Sequence, residues 1–220
     1  MDAAKEDLRQ ALSAGAANLG LSLNDAQIDK LLAYQALIDK WTRVYNLTSV
    51  RDPAEMLTHH LHDSLAVIAP LQRYLQAAEM QAARLLDVGS GAGLPGVVIA
   101  VCCPQVQVTS VDTVAKKSAF VKQVAVELRL PNLSAVQSRV EAISQPFDVI
   151  CSRAFASLAD FVRLSRSALA PGGVWLAMKG KHPVEELAEL PDEVEVFHVE
   201  QLTVPGLFAE RCIVWMRSVS

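Results

Sequence analysis

Leu85-Leu86-Asp87-Val88-Gly89-Ser90-Gly91-Ala92-Gly93-Leu94-Pro95-Gly96, followed by Val97-Val98-Ile99-Ala100, decides the fold. The stretch reads as a buried strand, a glycine-dense turn and the start of a helix, the order in which a parallel strand feeds a crossover helix. Glycine reaches positive φ without strain and lets a ligand touch the backbone. Such a turn can therefore pass beneath a bound molecule at the carboxyl end of its strand.

Spacing limits what that molecule can be. A dinucleotide turn needs Gly-x-Gly-x-x-Gly, with pyrophosphate on the helix N-terminus. Here the glycines fall as Gly89-x-Gly91-x-Gly93, with Gly96 beyond. The next strand-like run, 106–112, ends in Asp112. That carboxylate follows the first glycine by about twenty residues, where an acid can accept both hydroxyls of a ribose. Acid and turn together describe a nucleoside pocket. A nucleoside without phosphates that carries an amino-acid tail is S-adenosyl-L-methionine, and Asp87 through Gly93 is similar to the first motif of the class I methyltransferases. The glycine pattern alone leaves nucleotide binding and a purely structural turn open.

Outward from the turn, strand-like runs at 85–88, 106–112, 133–137, 147–151 and 174–179 alternate with helical segments. One such segment covers 114–129, with Ala119, Phe120, Val124 and Leu128 among its apolar positions; another covers 157–169 and is closed by Pro171-Gly172-Gly173. Five strands joined by helices imply a parallel, doubly wound α/β sheet. Two last runs, 194–202 and 212–216, flank a loop holding Pro205-Gly206 that is too short for a helix, so they should pair antiparallel. A parallel sheet finished in this way resembles the Rossmann-like fold of the class I S-adenosylmethionine-dependent methyltransferases, with seven strands in the order 3-2-1-4-5-7-6.

Before the turn the chain reads as helices. Asn24, with Gln27 three positions on, can cap a helix whose apolar positions include Ile28, Leu31, Ile38, Trp41 and Tyr45 and which stops near Asn46. Asp52-Pro53-x-Glu55 is a second start signal, leading into Met56, Leu57, Leu61, Leu65 and Ile68, with Pro70 as the expected end. Residues 1–80 are expected to form an N-terminal helical extension that caps the substrate, and 81–220 to form the S-adenosylmethionine-binding methyltransferase domain.

A chain of 220 residues with 51% hydrophobic content can bury a full core. No apolar run is long enough for a membrane span, and Met1 to Asp7 carries neither the basic flank nor the apolar run of a secretion signal, which points to the cytoplasm. Cys102, Cys103, Cys151 and Cys212 lack metal spacing and read as buried, reduced thiols. The net charge of −4 counts against a broadly basic nucleic-acid face without excluding a local patch.

Several segments together resemble one family, the bacterial 16S rRNA (guanine-N7)-methyltransferases that modify guanine 527, formerly called glucose-inhibited division protein B. They are Tyr45-Asn-Leu-Thr-Ser49, His59-His-Leu-His-Asp-Ser-Leu65, Asp87 through Gly96, Val111 through Phe120, Ser138-Arg-Val-Glu141, Cys151-Ser-Arg-Ala-Phe155 and Met178-Lys-Gly180. The resemblance implies that Gly89 and Leu94 contact the methionine part of S-adenosyl-L-methionine through their backbone, with Gly91 permitting the same approach. It implies further that Val140 and Glu141 frame the adenine and that Arg153 serves cofactor binding. Asp112, by position and chemistry, is the acid for the ribose. Plainer roles exist for two of these: Glu141 as an exposed helix-entry residue, and Arg153 as an ion-pair partner of Asp148 or Asp87.

N7 of guanine has an in-plane lone pair and no proton, so no general base is demanded and alignment can carry the reaction. No catalytic residue is assigned on that account. Asn46, Thr48 and Lys179 are the candidates for lining the base pocket, although Asn46 can equally cap its helix and Lys179 can contact phosphate. His59, His60 and His62 lack the partners of a metal shell and are expected to make caps and interhelical hydrogen bonds, so no metal is expected. Lys116 and Lys117 either touch RNA phosphate or form a solvated helix face. The expected partner is 16S rRNA or the small ribosomal subunit, met by a monomer. Without the resemblance, a methyltransferase for a small molecule or protein, or a non-catalytic rRNA-binding assembly factor, would remain open.

Overall fold

Strand β1 (Ala83–Val88) lies third in a seven-stranded sheet and is buried at five of its six positions, as a parallel strand covered by helices on both faces must be. The structure, a computed structural model, describes residues 3–155 and 157–219. Parallel to β1 run β2 (Val106–Asp112), β3 (Leu133–Gln137), β4 (Phe147–Arg153) and β5 (Leu169–Lys179). β6 (Val194–Leu202) and β7 (Arg211–Ser218) pair antiparallel, and β7 adds antiparallel to β5. The resulting order, β3-β2-β1-β4-β5-β7-β6, is the one expected from the sequence.

Alternate strand residues feed two cores, because side chains on a strand point to opposite faces. Leu85, Val149, Cys151, Leu176 and Ile213 pack on one face with α1 (Ala3–Asn18), α2 (Asp25–Tyr45), α6 (Gly96–Cys102) and α7 (Ala115–Glu127). Leu86, Val88, Ile150, Trp175 and Val214 pack on the other with α8 (Leu158–Ser165). Trp175 is fully buried there, and its indole N–H donates to Ser165 Oγ at 3.0 Å. The four cysteines are free and buried.

Helix α2 begins in the capping box expected at Asn24: its side chain accepts from the Gln27 N–H, and the Asn24 N–H donates to the Gln27 side chain. The helix ends at Asn46, whose φ of 51° is left-handed.

The second helical segment departs from expectation. Asp52 does cap α3 (Pro53–Met56), but the chain then widens into a π turn (Leu57–His62), resumes as α4 (Asp63–Leu65), turns, and starts α5 (Ile68–Ala77). Pro70, expected to close a helix, is instead the third residue of α5. A first-turn residue has no intrahelical use for its N–H, so proline costs little there.

A second correction concerns Pro171-Gly172-Gly173, expected to separate a helix from the strand at 174. The helix ends earlier, as α8 and a 3₁₀ turn (Arg166–Ala168), and the three residues sit inside β5. They form an excursion between the pairs Phe147 with Leu169 and Val149 with Val174, which Gly172 permits at φ +74°. Among the described residues no helix is long and apolar enough to cross a membrane. The N-terminal segment read for a secretion signal includes residues 1 and 2, which lie outside the described residues.

Candidate functional site

The glycine turn sits at the carboxyl end of β1 and is braced from three sides. Asp112 Oδ2, at the end of β2, accepts from the Gly91 N–H at 3.0 Å. Asp87 Oδ2, at the end of β1, accepts from the Gly96 N–H at 3.0 Å. Tyr34, buried on α2, donates its hydroxyl to Ala92 O at 2.6 Å. A buried phenol with a carbonyl to bond stays protonated, and burial raises its pKa well above the ordinary value. Asp87 is fully enclosed, and burial pushes its carboxyl up to about 7 despite the Gly96 N–H.

The four glycines divide by task. A Cβ on Gly93 would lie 2.6 Å from Val97, and one on Gly96 2.6 Å from Asp87 Oδ2, so these two let the helix pack against the strands. Gly91, at φ +58°, would meet nothing nearer than 4.0 Å. The space over it is open. Gly89, at φ +67°, faces the Phe155 ring, with 3.1 Å from a built Cβ to the ring edge.

Two hollows open on this turn and meet at Gly89, Ala154 and Phe155. One, about 720 Å³, lies between the ends of β2 and β3 and is bordered by Asp112, Gln137, Val140 and Glu141. Val140 and Glu141 belong to a 3₁₀ turn (Val140–Ala142) after β3, with Val140 buried and Glu141 exposed. The other, about 600 Å³, is bordered by Gly91, Leu94, Thr48, Arg153 and Lys179. Both fall in the size range of small-molecule sites, and both lie at strand carboxyl ends, where open α/β sheets hold ligands.

Every cofactor candidate therefore borders a hollow: Gly89, Asp112, Val140 and Glu141 the first; Gly89, Gly91, Leu94 and Arg153 the second. Asp112 is already engaged, since its Oδ1 also accepts from the Val114 N–H at 2.9 Å and Lys117 Nζ lies 3.7 Å from Oδ2. A carboxylate has about four lone-pair positions, so acceptor capacity is left for a sugar.

Of the base-pocket candidates, Thr48 and Lys179 border the 600 Å³ hollow, while Asn46 does not. Asn46 caps α2, and its Oδ1 accepts from Arg51 at 2.6 Å. Thr48 Oγ1 lies 2.9 Å from His60 Nε2. Burial first, and the Arg153 charge second, bring the His60 pKa down to about 4, so this ring is neutral near pH 7. Lys179 is paired with Glu186 at 2.7 Å.

Arg153 pairs neither with Asp148 nor with Asp87. Its Nη1 donates to Asp63 at 2.9 Å and to His59 O at 2.8 Å. Arg211, at the start of β7, donates from Nε to the other oxygen of Asp63 at 2.8 Å. One buried carboxylate thus joins the start of α4 to β4 and β7. Two guanidiniums against one carboxylate leave this wall of the hollow positive.

Sequence reasoning missed Asp63, Phe155 and Arg211 as members of the site. Asp63 and Phe155 lie in segments that carry the family resemblance, a signal that was available; Arg211 lies in none. Among the described residues no group of three or more His, Cys, Asp or Glu side chains is arranged to hold a metal. His62 instead bonds through Nδ1 to Pro205 O at 3.2 Å.

Solved structures share this fold. TrmN from Thermus thermophilus aligns with a TM-score of 0.55 at 16% identity, over 74% of this chain and 53% of that one. Coclaurine N-methyltransferase, bound to N-methylheliamine and SAH, aligns with a TM-score of 0.53 at 14% identity, over 90% of this chain and 74% of that one. Strand order and glycine turn are those of the class I S-adenosylmethionine-dependent methyltransferase fold.

The family described as rRNA small subunit methyltransferase G matches residues 27–214. A protein of Polaromonas naphthalenivorans (strain CJ2) named Ribosomal RNA small subunit methyltransferase G is 66% identical over the full length of both chains. One of Albidiferax ferrireducens with the same name is 65% identical over 96% of this chain and 97% of its own. The chain belongs to the rRNA small subunit methyltransferase G family.

Proposed function

We propose that this protein transfers a methyl group from S-adenosyl-L-methionine to N7 of guanine 527 in 16S rRNA. The observation that carries the proposal is the pair of hollows joined at Gly89 and Phe155, one ending in Asp112 and the other bordered by Thr48, Arg153 and Lys179. The first suits an adenosine, with Asp112 for the ribose and Val140 and Glu141 beside the adenine. The second would hold the amino-acid tail on Gly89, Gly91 and Leu94, with Arg153 serving cofactor binding, and would leave room for an incoming base.

When bound, S-adenosyl-L-methionine supplies a methyl group made electrophilic by a sulfonium sulfur. The chain's own residues then have a task of alignment, because guanine N7 offers a lone pair without losing a proton. Thr48 and Lys179 lie where they can hold the base edge, and the neutral His60 fixes Thr48. Asp63 pairs with Arg153 on β4 and with Arg211 on β7, which ties α4 to the sheet beside the base pocket. A base must leave its stack to enter such a site, which RNA loops make cheap. A monomer suffices, since one chain carries both hollows.

The test is to incubate the protein with labelled S-adenosyl-L-methionine and unmethylated small ribosomal subunits or their RNA, and to map the labelled nucleotide. Label at N7 of guanine 527 is expected. Label on a protein, or on another base, overturns the proposal.

A further inference from the structure

Lys179, the last residue of β5, borders the hollow that would take the base, and its ammonium lies 2.7 Å from Glu186 Oε2. That carboxylate comes from α9 (Val184–Ala188), a short helix after β5. The same oxygen accepts from the Leu158 N–H at 2.7 Å, an amide of the first turn of α8 that has no acceptor within its own helix. Glu186 therefore joins the end of β5 to the start of α8, just past the Phe155 that stands between the two hollows. The fold holds the acid in place. Leu187, its neighbour in the chain, and Leu190 pack against the core that α8 covers, and the loop before α9 is held on β7, where the Cys212 thiol donates to Lys181 O at 3.6 Å. The side chains are 16% exposed for Lys179 and 32% for Glu186, so water screens the pair only in part.

The reaction gives this pair a task beyond structure. As guanine N7 bonds to the methyl carbon with its lone pair, the bond from that carbon to sulfur breaks, its electron pair stays on sulfur, and positive charge passes to the purine. No proton moves. The wall of the hollow already carries Arg153 and Arg211 against the single carboxylate of Asp63. A bare ammonium at Lys179 would oppose the charge arriving on the purine, because like charges repel more strongly where water is thinned out. With Glu186 beside it, the ammonium can donate to the base edge while adding no net charge to the wall.

We propose that Glu186 is a positioning residue for methyl transfer, which holds Lys179 at the edge of the base hollow and offsets its charge while the purine becomes a cation. This rests on guanine N7 of rRNA being the methyl acceptor.

The test compares wild type with Glu186→Gln, Lys179→Met and the double variant, measuring kcat on unmethylated small ribosomal subunits, affinity for those subunits, affinity for S-adenosylhomocysteine by calorimetry, and thermal unfolding. Glutamine keeps an acceptor for the Leu158 N–H and removes only the charge, so unfolding and S-adenosylhomocysteine affinity should match wild type. The kcat of Glu186→Gln is expected to fall about ten-fold, while subunit affinity holds or rises, because the protein has lost a negative charge. In the Lys179→Met background the same substitution should bring no further fall. An unchanged kcat in Glu186→Gln overturns the assignment. So does an equal fall in both backgrounds, which would place the effect of Glu186 on α8, and so does a loss of stability or of S-adenosylhomocysteine affinity, which would leave the acid a structural role alone. Wild type that methylates no guanine overturns the rRNA reading and this assignment with it; the assignment fails by itself when wild type is active and the differences above are missing.

Discussion

Gly89 and Asp112 carry the cofactor argument at the scale of single residues, and each makes a separable prediction. Gly89→Val should abolish S-adenosylhomocysteine binding, because a β-branched residue at φ +67° is strained and its side chain would enter the gap facing Phe155. Gly20, at φ +72° with nothing within 4 Å of a Cβ, supplies the control: Gly20→Val brings similar strain with no intrusion and should leave binding intact. Calorimetry on both decides, and equal affinities would contradict the account. Asp112→Ala should weaken binding by about 1–3 kcal/mol, and Asp112→Asn by less, since it keeps an acceptor for the Gly91 N–H. The glycines and Asp112 were legible in the sequence because their chemistry is local: a turn needing positive φ, and an acid at a fixed distance down the chain. Asp63 was not legible as a site residue. Its partners lie 90 and 148 residues away, and nothing local announces that two guanidiniums will share its carboxylate.

At the scale of elements, the π turn (Leu57–His62) is the feature that most shapes the site. Within it His59 O accepts from Arg153, His60 meets Thr48 and His62 meets Pro205 O. Sequence patterning saw one continuous helix here, because the apolar positions Leu57, Leu61 and Leu65 keep a helical period through the irregularity. The stretch Pro171-Gly172-Gly173 misled in the opposite sense. It reads as a stop and is instead an excursion that the sheet absorbs.

The buried His60 ring also gives the π turn a pH signature. Its pKa, brought down to about 4 from 6.5, means that between these values the unfolded chain binds a proton that the folded protein refuses. Stability from this group therefore rises with pH across that window and is complete above 6.5. Asp87 acts with opposite sign, its raised pKa of about 7 favouring the folded state at lower pH, so the contribution of His60 must be read as a difference. The unfolding free energy of wild type minus that of His60→Gln should increase from about pH 4 to about pH 6.5, as measured by urea unfolding. Parallel curves would show that the ring is not titrating as its burial requires.

Across the whole molecule, a sheet supplies the strand ends, a glycine turn supplies the gap, and Leu47, Thr48, His59, His60 and Asp63 border the hollow from the segment before β1. Alternating strand and helix patterns, closed by two strands too near for a crossover, made the mixed sheet legible, and its strand order came with the resemblance to the class I methyltransferase fold. The lateral joins were not. Asp63 to Arg153 and Arg211, Tyr34 to Ala92, and Pro205 to His62 connect residues before β1 to the strands, the glycine turn and the β6–β7 loop, and they exist only once the chain has folded. The central claim is that one nucleoside-bearing ligand spans both hollows across Gly89. A crystal structure with S-adenosylhomocysteine tests it most directly. The account predicts adenosine between Asp112 and Val140, with the amino-acid tail over Gly91 and Leu94; a nucleoside lodged in the 600 Å³ hollow, or an Asp112 turned away from the sugar, would contradict it.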